Sequence, residues 1–177
     1  MTAQETKLKG CFILSPQVFK DSRGYFFESF NEEKFTELTG ASGRFVQDNQ
    51  SFSEYGTVRG LHLQTGGAAQ AKLVRVISGV VLDVAVDLRP DSETYKQWVA
   101  VELNAEDNNQ LYVPRGFAHG FSVLSETAVF AYKCDNFYNK SAEGGIRYND
   151  PALNIDWKIP QDKMLLSEKD LILPFLD

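Results

Sequence analysis

Lys72-Leu73-Val74-Arg75-Val76-Ile77 and Val80-Val81-Leu82-Asp83-Val84-Ala85-Val86-Asp87-Leu88 flank the pair Ser78-Gly79. Both runs are rich in β-branched and aliphatic residues, and Ser-Gly makes a short connection, so the segment reads as two tightly joined β-strands. In the second strand a period of two puts Val80, Leu82, Val84, Val86 and Leu88 on one face. Val81, Asp83, Ala85 and Asp87 share the other. Asp83 is a solvated aspartate if that face meets water. If both faces are covered, it needs a hydrogen-bond donor or a cation.

Outward from this pair, strand-like runs recur at short spacing with turn signals between them. Upstream lies Cys11-Phe12-Ile13-Leu14, stopped by Ser15-Pro16. The turn residues Asp21-Ser22-Arg23-Gly24 precede the aromatic run Tyr25-Phe26-Phe27, which predicts a hairpin with Arg23 near its tip. Alternation would set Phe26, Glu28 and Phe30 on one face. In the run from Phe45 to Ser53, Gln47, Asn49 and Ser51 share a face, which lines a pocket if it points inward and is ordinary surface if it points outward. Downstream runs cover Tyr95 to Leu103, Leu111 to Leu124, and Thr127 to Asp135, with Tyr132 near the end of the last. One helix is clear, between a capping Asn31 and a terminating Gly40, with Phe30 and Phe35 placed as a hydrophobic staple. The tail from Asn136 is irregular and includes a capped turn at Ser167-Glu168-Lys169-Asp170. About ten short strands with one or two small helices predict an all-β jelly-roll sandwich or barrel.

At 177 residues the chain is predicted to form one domain, residues 1–177, large enough for a sizeable core without staples. A net charge of -6 argues against a nucleic-acid partner. It leaves room for a phosphorylated small molecule held by a few local arginines. The two cysteines, Cys11 and Cys134, lack metal-type spacing. No apolar run approaches the roughly 20 residues that span a bilayer, and Met1-Thr2-Ala3-Gln4-Glu5 has no signal pattern. A cytoplasmic protein is expected.

Chemistry concentrates in Val58-Arg59-Gly60-Leu61-His62-Leu63-Gln64 and the following Gln70-Ala71-Lys72. The chain has two histidines, and one is here. An imidazole can take a proton near neutral pH, and a nearby cation can hold developing negative charge. A surface loop with a satisfied histidine is the plainer reading of the same residues. The second histidine, His119, sits between Gly116 and Gly120, a pattern that suggests close backbone approach near a ligand.

Several motifs together resemble the dTDP-4-dehydrorhamnose 3,5-epimerase family. They are Phe19 to Glu28, Gln47-Asp48-Asn49-Gln50-Ser51, Arg59-Gly60-Leu61-His62, Lys72 to Val76, Asp83 to Arg89 and Pro114 to Phe121. Asn149-Asp150-Pro151, Ile155-Asp156-Trp157 and Ser167 to Asp170 continue the pattern, so it covers nearly the whole chain. The resemblance implies a cupin-like double-stranded β-helix, a homodimer, and catalysis without metal or organic cofactor. A metal-binding cupin would normally show His-x-His, whereas Gly60 and Gln64 stand two positions either side of His62.

The implied reaction inverts C3 and C5 of dTDP-4-keto-6-deoxy-D-glucose to give dTDP-4-keto-L-rhamnose. By resemblance His62 is the base, oriented by Asp170, and Tyr132 is the acid on the opposite face. Lys72 would stabilise the enolate at the C4 oxygen. His119 would lie by the sugar with Asp83 as its partner, an idea that requires the two side chains to be within hydrogen-bond reach. Arg23, Arg59 and Lys169 match positions that bind the diphosphate end. Glu28, Gln47, Asn49 and Glu143 match further substrate contacts, and Tyr138 packs on the base or the sugar. Part of the nucleotide site would be lent by the second subunit. Rival readings are an epimerase acting at C3 or C5 alone, a metal-dependent cupin, and a sugar-nucleotide binding module without turnover.

Overall fold

The protein is described here by a computed structural model covering residues 1–176. Its two main sheets are antiparallel. The six-stranded sheet runs β1 (Thr2–Glu5), β2 (Phe12–Ser15), β10 (Gln110–Val113), β7 (Lys72–Ser78), β12 (Thr127–Cys134), β5 (Gln47–Glu54). The five-stranded sheet runs β13 (Glu143–Gly145), β6 (Val58–Gln64), β11 (Phe117–Val123), β8 (Val80–Asp87), β9 (Trp98–Asn104). A separate hairpin, β3 (Val18–Asp21) with β4 (Gly24–Phe27), pairs with neither. This is the jelly-roll sandwich that the strand spacing predicts.

The pair that opened the sequence reading is joined closely, but it is not one hairpin. β7 pairs with β10 and β12, while β8 pairs with β11 and β9. The corner is Gly79, whose φ of 87° suits glycine and where an added Cβ would collide with the Thr127 carbonyl. Passing from one sheet to the other at this point covers both faces of β8. Val81 and Ala85 join Val74, Val76 and Phe130 between the sheets. Leu82, Val84 and Val86 are covered instead by Ile146, Leu153 and Trp157 of the irregular tail. Each such side chain, fully buried, contributes about 1.5–3 kcal/mol. Asp83 is therefore not solvated: it points into the sandwich and is 0% exposed.

Helix α1 (Glu32–Thr39) has the expected ends. Asn31 Oδ1 accepts the Lys34 N–H at 3.1 Å, and Gly40 is left-handed at φ 68°. The Phe30 and Phe35 rings lie 5.9 Å apart across the cap. The strand before it is shorter than alternation suggested. β4 ends at Phe27, and Glu28 turns to meet Asn31 and Lys34 of the helix start. Glu28 thus shares no strand face with Phe26 and Phe30. In β5 the choice falls inward: Gln47, Asn49 and Ser51 are half-buried, while Asp48, Gln50 and Phe52 are exposed. No described helix is long and apolar enough to cross a membrane.

Candidate active site

His62 of β6 and His119 of β11 are direct cross-strand partners. The two strands approach closely just beside them, where a Cβ on Gly60 would come within 2.6 Å of Gly120 Cα. The other wall is the six-stranded sheet, from which alternation turns Lys72 (β7) and Tyr132 (β12) inward. Between the walls lies a cleft of about 390 Å³ bordered by His62, His119, Lys72, Tyr132, Arg59 and Asp170. A further lobe of about 290 Å³ shares His62, Lys72, Asn49 and Tyr132 and reaches Gln47, Tyr138 and Glu143. Asp170 arrives from the tail on α2 (Glu168–Leu171), where Ser167 Oγ accepts the Asp170 N–H at 3.2 Å.

Two imidazole–carboxylate pairs face this space. His62 Nε2 lies 2.5 Å from Asp170 Oδ1. Burial works to raise the Asp170 carboxyl, but the hydrogen bond and charge of His62 outweigh it and hold the group below its ordinary value. His119 Nε2 lies 2.9 and 3.1 Å from the two oxygens of Asp83, within the reach that the sequence argument required. Burial lowers the pKa of His119, with Asp83 opposing the shift. Burial also lowers Lys72, against the opposing charges of Cys134, Asp83 and Glu143. Lys72 makes no ion pair among the described residues, and its amine stands 5.9 Å from the Tyr132 ring centre. Burial pushes the Tyr132 phenol up, so it stays protonated and able to donate. A base, a cation and an acid therefore border one space.

The other expected residues divide into two groups. Arg59 borders the cleft and donates through Nε to Ser53 Oγ at 3.2 Å. In the further lobe a polar chain runs from Asn49 to Gln47 (3.1 Å), from Gln47 to the Tyr138 N–H (3.0 Å), and from the Tyr138 hydroxyl to Glu143 (3.3 Å). Glu143 also ion-pairs with Lys169, so that cation is partnered in the free protein. Arg23 and Glu28 are not brought to this cleft by their own chain. Arg23 pairs with Asp21 at 2.7 Å on the isolated hairpin, with its side chain 88% exposed. Glu28 is held by Lys34 at 2.8 Å. The reason is topological: the hairpin that carries Arg23 belongs to neither sheet, and Glu28 directly follows it.

The sequence reading passed over Phe130 and Ser53. The Phe130 ring flanks both His119 (6.3 Å) and Tyr132 (6.0 Å), and Ser53 anchors Arg59. Alternation was the available signal in each case: Phe130 shares the inward face of β12 with Tyr132, and Ser53 that of β5 with Asn49 and Ser51. Among the described residues no group of three His, Cys, Asp or Glu side chains is placed to hold a metal ion.

A family model described as dTDP-4-dehydrorhamnose 3,5-epimerase matches residues 5–177. The dTDP-4-dehydrorhamnose 3,5-epimerase of Salmonella typhimurium is 51% identical over 177 residues, spanning 100% of this chain and 96% of that protein. The crystal structure of the dTDP-4-dehydrorhamnose 3,5-epimerase from Elizabethkingia anophelis is 62% identical. It superposes with a TM-score of 0.96 over 99% of this chain and 96% of that one. A dTDP-6-deoxy-D-glucose-3,5-epimerase of Legionella pneumophila, solved in complex with dTDP-4-keto-L-rhamnose, is 45% identical with a TM-score of 0.94, covering 98% and 92%. With a match of this extent over a jelly roll whose cleft holds a base, a cation and an acid, the chain belongs to the dTDP-4-dehydrorhamnose 3,5-epimerase family.

Proposed function

We propose that this isomerase inverts C3 and C5 of dTDP-4-keto-6-deoxy-D-glucose by proton removal and return, giving dTDP-4-keto-L-rhamnose. One observation carries the proposal. The His62–Asp170 pair lies on one wall of a cleft whose other wall supplies Tyr132 and Lys72, the latter in no ion pair among the described residues. Both carbons lie next to the C4 ketone, so removing either proton gives an enolate on the same oxygen. Asp170 occupies His62 Nε2, which leaves Nδ1 as the atom that takes the proton. Lys72 holds the enolate charge, and Tyr132 returns a proton to the opposite face. A proton leaves and a proton enters, so the step needs no oxidant or reductant.

Arg59 and Lys169 supply positive charge for the diphosphate, and Tyr138 supplies a ring for the nucleoside or the sugar. Arg23 and Glu28, remote from the cleft of their own chain, would serve the site of a second copy in a homodimer. The exposure of Phe19 (56%), Tyr25 (62%) and Phe26 (68%) around Arg23 supports that reading, because an apolar hairpin of this kind suits a partner surface. A nucleotide-sugar substrate and two unpaired buried cysteines fit a cytoplasmic protein.

The test is proton NMR of dTDP-4-keto-6-deoxy-D-glucose with the protein in heavy water. Loss of both the C3 and C5 proton signals is expected. Loss at one carbon alone would replace this reading by a single-site epimerase, and no loss at either would leave a binding protein.

A further inference from the structure

The proposed reaction uses one imidazole–carboxylate pair, but the cleft contains two. The second is the deeper: the His119 and Asp83 side chains are 6% and 0% exposed, against 29% and 4% for His62 and Asp170. Asp83 receives His119 Nε2 on both of its oxygens. An ionised carboxylate only accepts, so Nε2 carries the hydrogen. Burial disfavours a second proton on the ring, with Asp83 opposing. With the hydrogen on Nε2 towards Asp83, the neutral ring has Nδ1 as a bare acceptor. No described group donates to Nδ1, and no buried side-chain nitrogen or oxygen among the described residues lacks a partner. Nδ1 is therefore the edge of the ring that opens on the cleft His119 lines.

We infer that Asp83 is a positioning residue: by holding His119 as the Nε2–H tautomer it presents Nδ1 as an acceptor, which seats the sugar with a hydroxyl towards His119 and its ketone oxygen towards Lys72. This rests on the epimerase reading. A ketone oxygen only accepts hydrogen bonds, whereas a hydroxyl can donate. The Lys72 ammonium only donates. An acceptor-only group on one wall and a donor-only group on the other therefore sort the two kinds of sugar oxygen. A ring seated the wrong way round would leave the enolate oxygen facing a lone pair, far from the ammonium that has to stabilise it. Without the Asp83 carboxylate, His119 is free to carry its hydrogen on Nδ1 and donate it to the ketone oxygen in that wrong register. A buried Asp–His pair serving only to tie β8 to its neighbour β11 would have no such consequence for the sugar.

The experiment is nitrogen NMR of the full-length protein with ¹⁵N-labelled imidazole rings. The probes are dTDP-glucose, which has sugar hydroxyls and no ketone, and dTDP, which has no sugar. The expected result is a neutral His119 protonated at Nε2, whose Nδ1 resonance moves with dTDP-glucose and stays in place with dTDP. In parallel, Asp83→Asn is expected to lower kcat about 10- to 100-fold, with KM within about twofold of wild type. An Nδ1–H or cationic His119, an equal response to both probes, or wild-type kcat in Asp83→Asn would overturn the inference. If Asp83→Asn does not fold, the wild-type spectra decide alone. Failure of the epimerase reading is seen separately, as wild-type protein that exchanges no substrate protons in heavy water.

Discussion

In the proposed reaction His62 and Tyr132 divide the proton work according to what holds each side chain. Asp170 fixes the His62 ring at 2.5 Å, and burial keeps the Tyr132 phenol protonated. His62→Ala should slow C3 and C5 proton exchange by about 10²- to 10⁴-fold, with dTDP affinity measured by calorimetry unchanged. Tyr132→Phe should separate exchange from inversion. His62 still removes protons and returns deuterium to the face it came from, so NMR in heavy water would find deuterated starting sugar and little product. Rapid inversion by Tyr132→Phe would assign the acid elsewhere. Roles of this kind were legible at the residue scale because the motifs around these residues resemble those of the epimerase family. Alternation alone told only which strand neighbours share a face with Lys72 and Tyr132. The pairing of Asp83 with His119 was an expectation that the structure meets, but the burial of Asp83 was not legible, because it depended on whether the second face of β8 was covered.

Elements carry the next layer, and two of them depend on single carboxylates. Asp87, at the end of β8, accepts from Arg89 Nε and Nη2, from Ser92 Oγ and from Thr94 Oγ1 at 2.6 to 2.9 Å. Burial works to raise its pKa, yet these bonds hold it well below the carboxylate range. The folded value thus lies below the unfolded value of about 3.9. The stability this contributes is present above that unfolded value and is lost as pH falls through the lower folded one. Asp87→Asn should cost about 3 kcal/mol at pH 7 and flatten the acid limb, as read by urea unfolding across that range. Helix α2 poses a different problem, since four residues cannot sustain a helix by themselves. The tail is strapped instead: Arg147 bonds the Leu173 and Pro174 carbonyls, and Asp150 Oδ2 accepts the Leu176 N–H at 2.6 Å. Asp150→Ala should loosen this strap and let Asp170 drift, with kcat down about tenfold while the melting temperature falls only modestly. An unchanged kcat would show that α2 holds Asp170 without the tail.

For the whole molecule the open question is the second copy. If Arg23 serves a partner's cleft, Arg23→Ala and His62→Ala proteins should each be inactive alone. Refolded together in equal amounts, they should regain about a quarter of wild-type activity, because half the dimers then contain one intact site. Activity of Arg23→Ala alone, or no recovery on mixing, would remove the exchanged arginine. Sedimentation of the wild type as a monomer would remove the dimer.

Local chemistry made much of this protein readable before any fold was in hand. The capped helix after Asn31 follows from side-chain type and helical spacing, a period of two puts Gln47, Asn49 and Ser51 on one face, and the His62, Lys72, Tyr132 and Asp170 set follows from motifs that resemble those of the family. What only the tertiary structure decided concerns pairing between distant segments. Ser78-Gly79 could close a hairpin or turn a corner between sheets, and the outcome depends on β10, β11 and β12, far along the chain. That corner buries both faces of β8, and the burial makes Asp83 the partner of His119, 36 residues away. Period two tells which residues share a face. It cannot tell what will cover that face, because the covering comes from chain that has yet to fold back.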